Sequence, residues 1–332
     1  MKKSTFITWT LIGSLIGTLI AYNKVEPLED RLNKKNSIVR TINARDYRFV
    51  DNKVTELTAD NDNVATYGVI SDIHGEIAKA RAFAGEFKKK GVDGIIIPGD
   101  IPKNEQLRYG RRDSKEDKQE IIEALEVIAE TGLPIYVIPG NHERKPDYEA
   151  ALSKVTAKYS NVIDMTKYRI FNGDDVDFVS LSGYQIFRNG NRQFIPNDGY
   201  WANPDFIMET GKLREGLDDA VVLITHGAGK TNARVGPATI YNGQDVGDDV
   251  TAKMQKENNI PFAVVGHIHE AGGIAATFDG KNIKPGEWAR QFTANFGGLE
   301  KWQHLDGNIY DGMAGILTVK GDVAKYEMLY LK

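Results

Sequence analysis

A chain of 332 residues, 41% hydrophobic and 27% charged, is long enough for one large domain with a sizeable core and an appendage. Its formal net charge of -4 gives no general attraction for nucleic acid or acidic lipid, which argues against a nucleic-acid coat protein. The absence of cysteine excludes a disulfide framework, a thiolate zinc site and a cysteine nucleophile.

In chain order, Lys2-Lys3 precedes an apolar run over residues 6–22 whose only polar relief is Thr, Ser and Gly. Residues 1–22 therefore read as a transmembrane or signal helix, just long enough to span. The cleavage pattern around Ala21-Tyr22-Asn23 is poor, so an uncleaved anchor is preferred, with secretion after cleavage as the alternative. This reading holds the rest of the chain on a membrane, outside the cytoplasm, although Lys24, Arg31, Lys34 and Lys35 compete with Lys2 and Lys3 under the positive-inside rule. Residues 23–63 are polar and weakly periodic and read as a tether with some local structure.

From residue 64 to 332 the chain reads as one domain. Val64 to Ser71 is a strand, Glu76 to Lys90 a helix with Ile77, Ala80, Ala84 and Phe87 on one face, and Gly91 a stop before the strand Gly94 to Ile97. A second helix with Ile121, Ile122, Leu125, Ile128 and Ala129 on one face follows Ser114 and Asp117, which resemble a capping box, and leads to the strand Ile135 to Ile138. Between Ile163 and about Ile195, short runs separated by Asn, Gly and Asp suggest antiparallel pieces of another sheet. Val221 to Thr225 and Phe262 to Val265 are buried strands that end at histidine, and a hairpin around Gly321-Asp322 closes the chain. The class is α/β, with one largely parallel sheet and one more antiparallel.

Five stretches share one setting, an apolar run followed by a turn: Asp72-Ile73-His74, Gly99-Asp100, Gly140-Asn141-His142-Glu143, Thr225-His226-Gly227 and Gly266-His267-Ile268-His269-Glu270. Five of the six histidines fall in these turns. Aspartate oxygen with imidazole nitrogen suits a borderline divalent ion, and strand ends of open α/β sheets are where ligands bind. Gly229-Lys230-Thr231 resembles the end of a phosphate-binding loop, but Ile224 stands where the first glycine is required, so that reading fails. His304 has no motif around it and reads as ordinary surface.

The ordered blocks D-x-H, G-D, G-N-H-E, H and G-H-x-H resemble those of the calcineurin-like metallophosphoesterases, over about Val64 to the C-terminus. The resemblance implies a two-sheet β-sandwich flanked by helices. It implies that Asp72, His74 and His269 hold one metal, that Asn141, His226 and His267 hold a second, that Asp100 bridges both, and that His142 faces the leaving group without binding metal. It further implies hydrolysis of a small-molecule phosphodiester or phosphomonoester by attack of a metal-bridging hydroxide, the diester preferred. Two divalent ions roughly 3.5 to 4 Å apart suit that task, because they neutralise the phosphoryl oxygens and acidify a shared water. The donor set suits Mn, Fe, Zn or Co better than Mg or Ca. Arg144 and Lys145, after the third block, are candidate phosphate contacts; the charged stretch Lys103 to Asp117, with Arg108, Arg111 and Arg112, reads as a solvated loop.

Two blocks depart from the family's pattern: His226 is followed by Gly227-Ala228-Gly229 rather than prolines, and a late turn reads Asn295-Phe296-Gly297. Alternatives are a pyrophosphate or nucleotide-sugar hydrolase, a protein phosphatase, and a catalytically idle interaction module that keeps the metal fold. The presence of His142, which the metals do not require, argues against the last.

Overall fold

The computed structural model describes residues 37–60, 62–103, 114–185, 187–188, 191–192 and 198–331. The expected anchor over 1–22, the first part of the expected tether, and Arg108, Arg111 and Arg112 lie outside the described residues. Among the described residues no helix is long and apolar enough to cross a membrane.

Two sheets face each other across a shared core. A six-stranded sheet runs in the order Val323–Tyr330, Met313–Lys320, Ala65–Val69, Gly94–Ile97, Ile135–Val137 and Val162–Asp164. Its last four strands are parallel, and the C-terminal hairpin adds to them antiparallel. A ten-stranded sheet places Asp177–Leu181, Val221–Thr225, Phe262–Val265 and Phe292–Asn295 side by side and parallel. The sheet expected to be mainly antiparallel therefore has a parallel centre, and antiparallel pairing is confined to its flanks.

Alternation along these strands decides what each face covers. Tyr67, Val69 and Ile96 from one sheet meet Phe178, Val222, Ile224 and Val264 from the other in the central core. Ile95 and Ile97 point the opposite way, onto the helices Ile77–Lys90, Ser114–Ala129 and Lys145–Lys158. Val221, Leu223, Ala263 and Val265 likewise back onto the helices Pro204–Lys212 and Asp249–Glu257. Strands buried on both faces read as unbroken apolar runs, which is why these were visible in the sequence.

The tether expected over 23–63 is corrected from Ile38 onward. Ile38–Ile42, Arg45–Val50 and Lys53–Glu56 form an antiparallel meander that joins the ten-stranded sheet at Ile170–Asn172. Ile42, Tyr47, Phe49 and Val54 are buried in the central core. Their period of two is masked in sequence by the outward Asp46 and Arg48 and by Arg45, which stands on the same face as Tyr47 and Phe49. Arg45 fastens the meander to the body through ion pairs with Glu56 at 2.9 Å, Asp60 at 2.6 Å and Asp93 at 2.9 Å.

Candidate metal centre

Each of the five turns follows a parallel strand, and four of the residues singled out there carry left-handed backbone: Asp72 (φ 47°), His74 (φ 46°), Asp100 (φ 54°) and His267 (φ 67°). For a non-glycine residue this conformation costs about 1 to 2 kcal/mol, so it persists only where the surroundings enforce it. Backbone hydrogen bonds do so here: Asp72 N donates to Gly99 O at 3.1 Å, His74 N to Asp100 O at 3.1 Å, and Gly266 N to His226 O at 3.1 Å. The turns approach so closely that a β-carbon on Gly140 would stand 2.2 Å from Asp100 Oδ1, and one on Gly266 would stand 2.0 Å from Asp72 Oδ2.

The side chains converge in two groups. In the first, His269 Nε2 lies 3.2 Å from Asp72 Oδ1 and 3.2 Å from His74 Nε2. In the second, His226 Nε2 is 3.0 Å from Asn141 Oδ1, 3.1 Å from Asp100 Oδ2 and 3.2 Å from His267 Nδ1. Asp100 belongs to both neighbourhoods, since it clusters with His74 and His142 on one side and with His226 and His267 on the other. His142 is set back: its Nε2 is 3.7 Å from Asp100 Oδ2, while its backbone N donates to Asp100 Oδ1 at 2.9 Å.

Outer contacts orient the donors. His226 Nδ1 donates to Pro98 O at 3.0 Å, which directs Nε2 inward. Asp72 accepts from the His267 backbone N, at 3.1 and 3.0 Å to its two oxygens, and from the Ser71 hydroxyl. Glu143, wholly buried, clamps the second block to the third by accepting from Ile101 N and Gly140 N, both at 2.7 Å.

Burial opposes charge at each of these groups, and the neighbours decide the outcome. Burial raises Asp72, but hydrogen bonds from His269 and His74 and the charge of His226 hold it well below the usual carboxylate range. Asp100 is likewise raised by burial and depressed further by His142 and His226. Burial lowers His74 and His226, yet Asp72 and Asp100 raise both to about 9. His267 is pushed down to about 3 by burial and His226, and His142 is lowered mainly by burial. The carboxylates thus demand positive charge at this point. Divalent cations meet the same demand, and the oxygen and imidazole donors fit them.

The family model for calcineurin-like phosphoesterases matches residues 65–271, which include all five blocks. The chain belongs to that family. Membership of that family implies a metal-dependent phosphoester hydrolase. The fold is similar to TT1561 of Thermus thermophilus, at 12% identity and a TM-score of 0.57, over 81% of this chain and 100% of that one. A second solved chain matches over the same shares with 16% identity and a TM-score of 0.57. A dimetal phosphatase from Danio rerio matches at 12% identity and a TM-score of 0.47, over 81% of this chain and 99% of that one. No curated protein matches the sequence.

The remaining residues singled out in the sequence fall as follows. Arg144 is engaged by Asp198 and, at 3.3 Å, by Asp147, while Lys145 lies 3.9 Å from Glu149 and 5.9 Å above the Tyr200 ring. His304 is not surface: it is 5% exposed, with its ring 4.9 Å from Tyr310, and Leu305 N donates to Glu270 O at 2.9 Å. Gly227, the departure after His226, makes room for Gln185 and Tyr184, whose atoms would stand 2.4 and 2.6 Å from a β-carbon there. Tyr184 then covers His267 at 4.1 Å between centroids. The Asn295 amide reaches the carbonyls of Pro237, Gly266 and Ile268 at 2.9, 3.1 and 2.9 Å, bracing the loop that carries His267 and His269. Of the residues that pack around the site, Glu143 stood inside a block, whereas Tyr184, and Trp302 with its ring 4.7 Å from that of His269, carried no local signal.

Proposed function

We propose that this chain hydrolyses phosphodiesters of small molecules at a centre of two divalent ions, with Mn, Fe, Zn or Co as the candidate metals. The observation that carries the reading is the convergence of Asp72, His74, His269, Asn141, His226 and His267 around Asp100. In this reading Asp72, His74 and His269 hold one ion, Asn141, His226 and His267 hold the other, and Asp100 serves both. The ions supply Lewis acidity to the phosphoryl oxygens and an acidified water. His142, positioned by its backbone bond to Asp100, gives a proton to the departing oxygen, a role in which the anionic phosphate has to offset the burial that lowers its pKa. Preference for a diester over a monoester is supported by the cations near the third block: Arg144 is held by Asp198 and Asp147, and a diester brings one phosphate charge where a monoester brings two. Metal content by mass spectrometry, with hydrolysis of nitrophenyl phosphate, bis-nitrophenyl phosphate and cyclic nucleotides after manganese loading, tests the assignment. Two bound metals without hydrolysis of any ester would favour an interaction module instead.

From the sequence alone we also infer that residues 1–22 anchor the enzyme to a membrane with its hydrolase domain outside the cytoplasm. Fractionation of the full-length protein should find it with membranes; a shortened soluble form outside the cytoplasm would mean a cleaved signal.

A further inference from the structure

An aromatic surface that this reading leaves unused borders the metal centre on the side of His269. Trp302 lies in the hairpin Lys301–Gln303 and Ile309–Asp311, half-buried, with its centroid 4.7 Å from the His269 ring and the planes at 68°. Tyr241, from the long loop after Val221–Thr225, is 56% exposed, yet its hydroxyl donates to the Gln303 carbonyl and the Trp302 indole lies beside it. The hairpin is fastened in turn to the ligand loop, through Leu305 N to Glu270 O at 2.9 Å and through buried His304 against Tyr310. An exposed tyrosine whose hydroxyl is pinned has already given up most of its rotamer freedom, so contact with a flat apolar group requires little further ordering. Tyr184, on the opposite flank, differs. It is packed between His267 and Gly227 and belongs to the wall of the ligand set.

We propose that Tyr241 and Trp302 form a stacking shelf for a nucleobase, so that the preferred esters are those of nucleotides. The proposal rests on the phosphodiesterase reading and adds the chemistry of the organic group. In this proposal the ester group of a phosphate held at the metals extends past His269 to the shelf, whose Trp302 ring lies 4.7 Å from the His269 ring. The shelf has a polar edge, made by the Gln303 carbonyl and by Glu270, whose charge acts on Tyr241. Flat rings with hydrogen-bond donors on one edge match that composition, whereas an alkyl chain would meet the polar edge without compensation.

The test compares adenosine 5′-monophosphate with ribose 5-phosphate, two ligands with the same phosphate and sugar, by calorimetric titration of the manganese-loaded full-length protein. Base stacking on an aromatic ring strengthens binding by about 5- to 150-fold, and the wild type should prefer the nucleotide within that range. Tyr241→Ala and Trp302→Ala should each remove most of the preference, and Trp302→Phe should retain much of it; metal content and melting temperature check that each variant is folded. Equal affinity for the two ligands in the wild type, or variants that weaken both alike, would overturn the shelf. Turnover of thymidine 5′-nitrophenyl phosphate against methyl nitrophenyl phosphate separates the two proposals. Hydrolysis of both without preference sinks the shelf and keeps the diesterase, and nucleotide-selective binding with hydrolysis of neither does the reverse.

Discussion

Replacing His142 by Asn or Ala tests acid catalysis separately from metal binding. Its Nε2 is 3.7 Å from Asp100 Oδ2, and its ring centroid is 4.6 Å from that of His74, so it faces the same point as the donors from one layer back. A departing alkoxide needs a proton, and a positioned acid contributes roughly 10²- to 10⁴-fold, which is about 3 to 5 kcal/mol of barrier. The variant should therefore slow hydrolysis of an alkyl or ribose diester by about that factor. A nitrophenyl ester, whose anion leaves unaided, should lose less than about tenfold. Both metals should remain by mass spectrometry, because the donors near His226 and His269 do not depend on the His142 ring for their contacts. Equal loss on both substrates with metals retained would mean that His142 stabilises phosphoryl oxygens, and loss of a metal would make it a ligand.

Asp100→Asn should reduce metal content more than replacement of any single histidine, because its carboxylate stands beside both donor groups; two metals and normal turnover would refute that. Arg45→Ala should lower stability by roughly 2 to 3 kcal/mol in urea melts, because it leaves the nearly buried Glu56 without its cation. Deleting 1–36 should leave a folded, active protein, whereas deleting 1–63 should not, since the second cut removes three strands of the ten-stranded sheet. Asp175 is raised to about 6 by burial and by Asp174, Asp60, Asp62 and Asp219. Its folded pKa lies above its unfolded one, so it favours the fold at low pH and loses that contribution as pH rises through about 6. Asp175→Asn should therefore stabilise the fold at pH 7.5 but not at pH 4, by under about 1 kcal/mol and less in high salt, as read from melting curves at the two pH values.

The site was more legible than the frame that holds it. Asp72, His74, Asp100, Asn141, His226, His267 and His269 stood out because each follows a strand buried on both faces, whose unbroken apolar run ends abruptly in a polar turn. The meander at 38–56 did not stand out, because its buried members alternate with Arg and Asp and its partners lie more than a hundred residues away at Ile170–Asn172. Phe292–Asn295, which completes the parallel centre, is four residues long and includes Thr293 and Asn295, too short and too polar to register. His304 is buried because its ring packs between Tyr310 and the backbone at Gly272, contacts with no local sequence pattern.

What the sequence did not carry at all is the strain. Asp72, His74, Asp100 and His267 all adopt a backbone that glycine would take without penalty. Glycine does stand next to the strained residues, at 75, 99 and 266. Gly99 is itself at φ 107°, and at 99 and 266 glycine also serves close approach, since a β-carbon would collide with Gly140 at 2.4 Å and with Asp72 Oδ2 at 2.0 Å. The strained positions keep their side chains because, in the proposed centre, those side chains are the metal donors. Four such residues oppose folding by several kcal/mol together. The two-sheet core and the interlocked turns offset this, and in return the turns fix where the side chains lie. A side chain fixed by its backbone gives up little further freedom on binding a cation, which is the energetic reason to hold the strain in the fold.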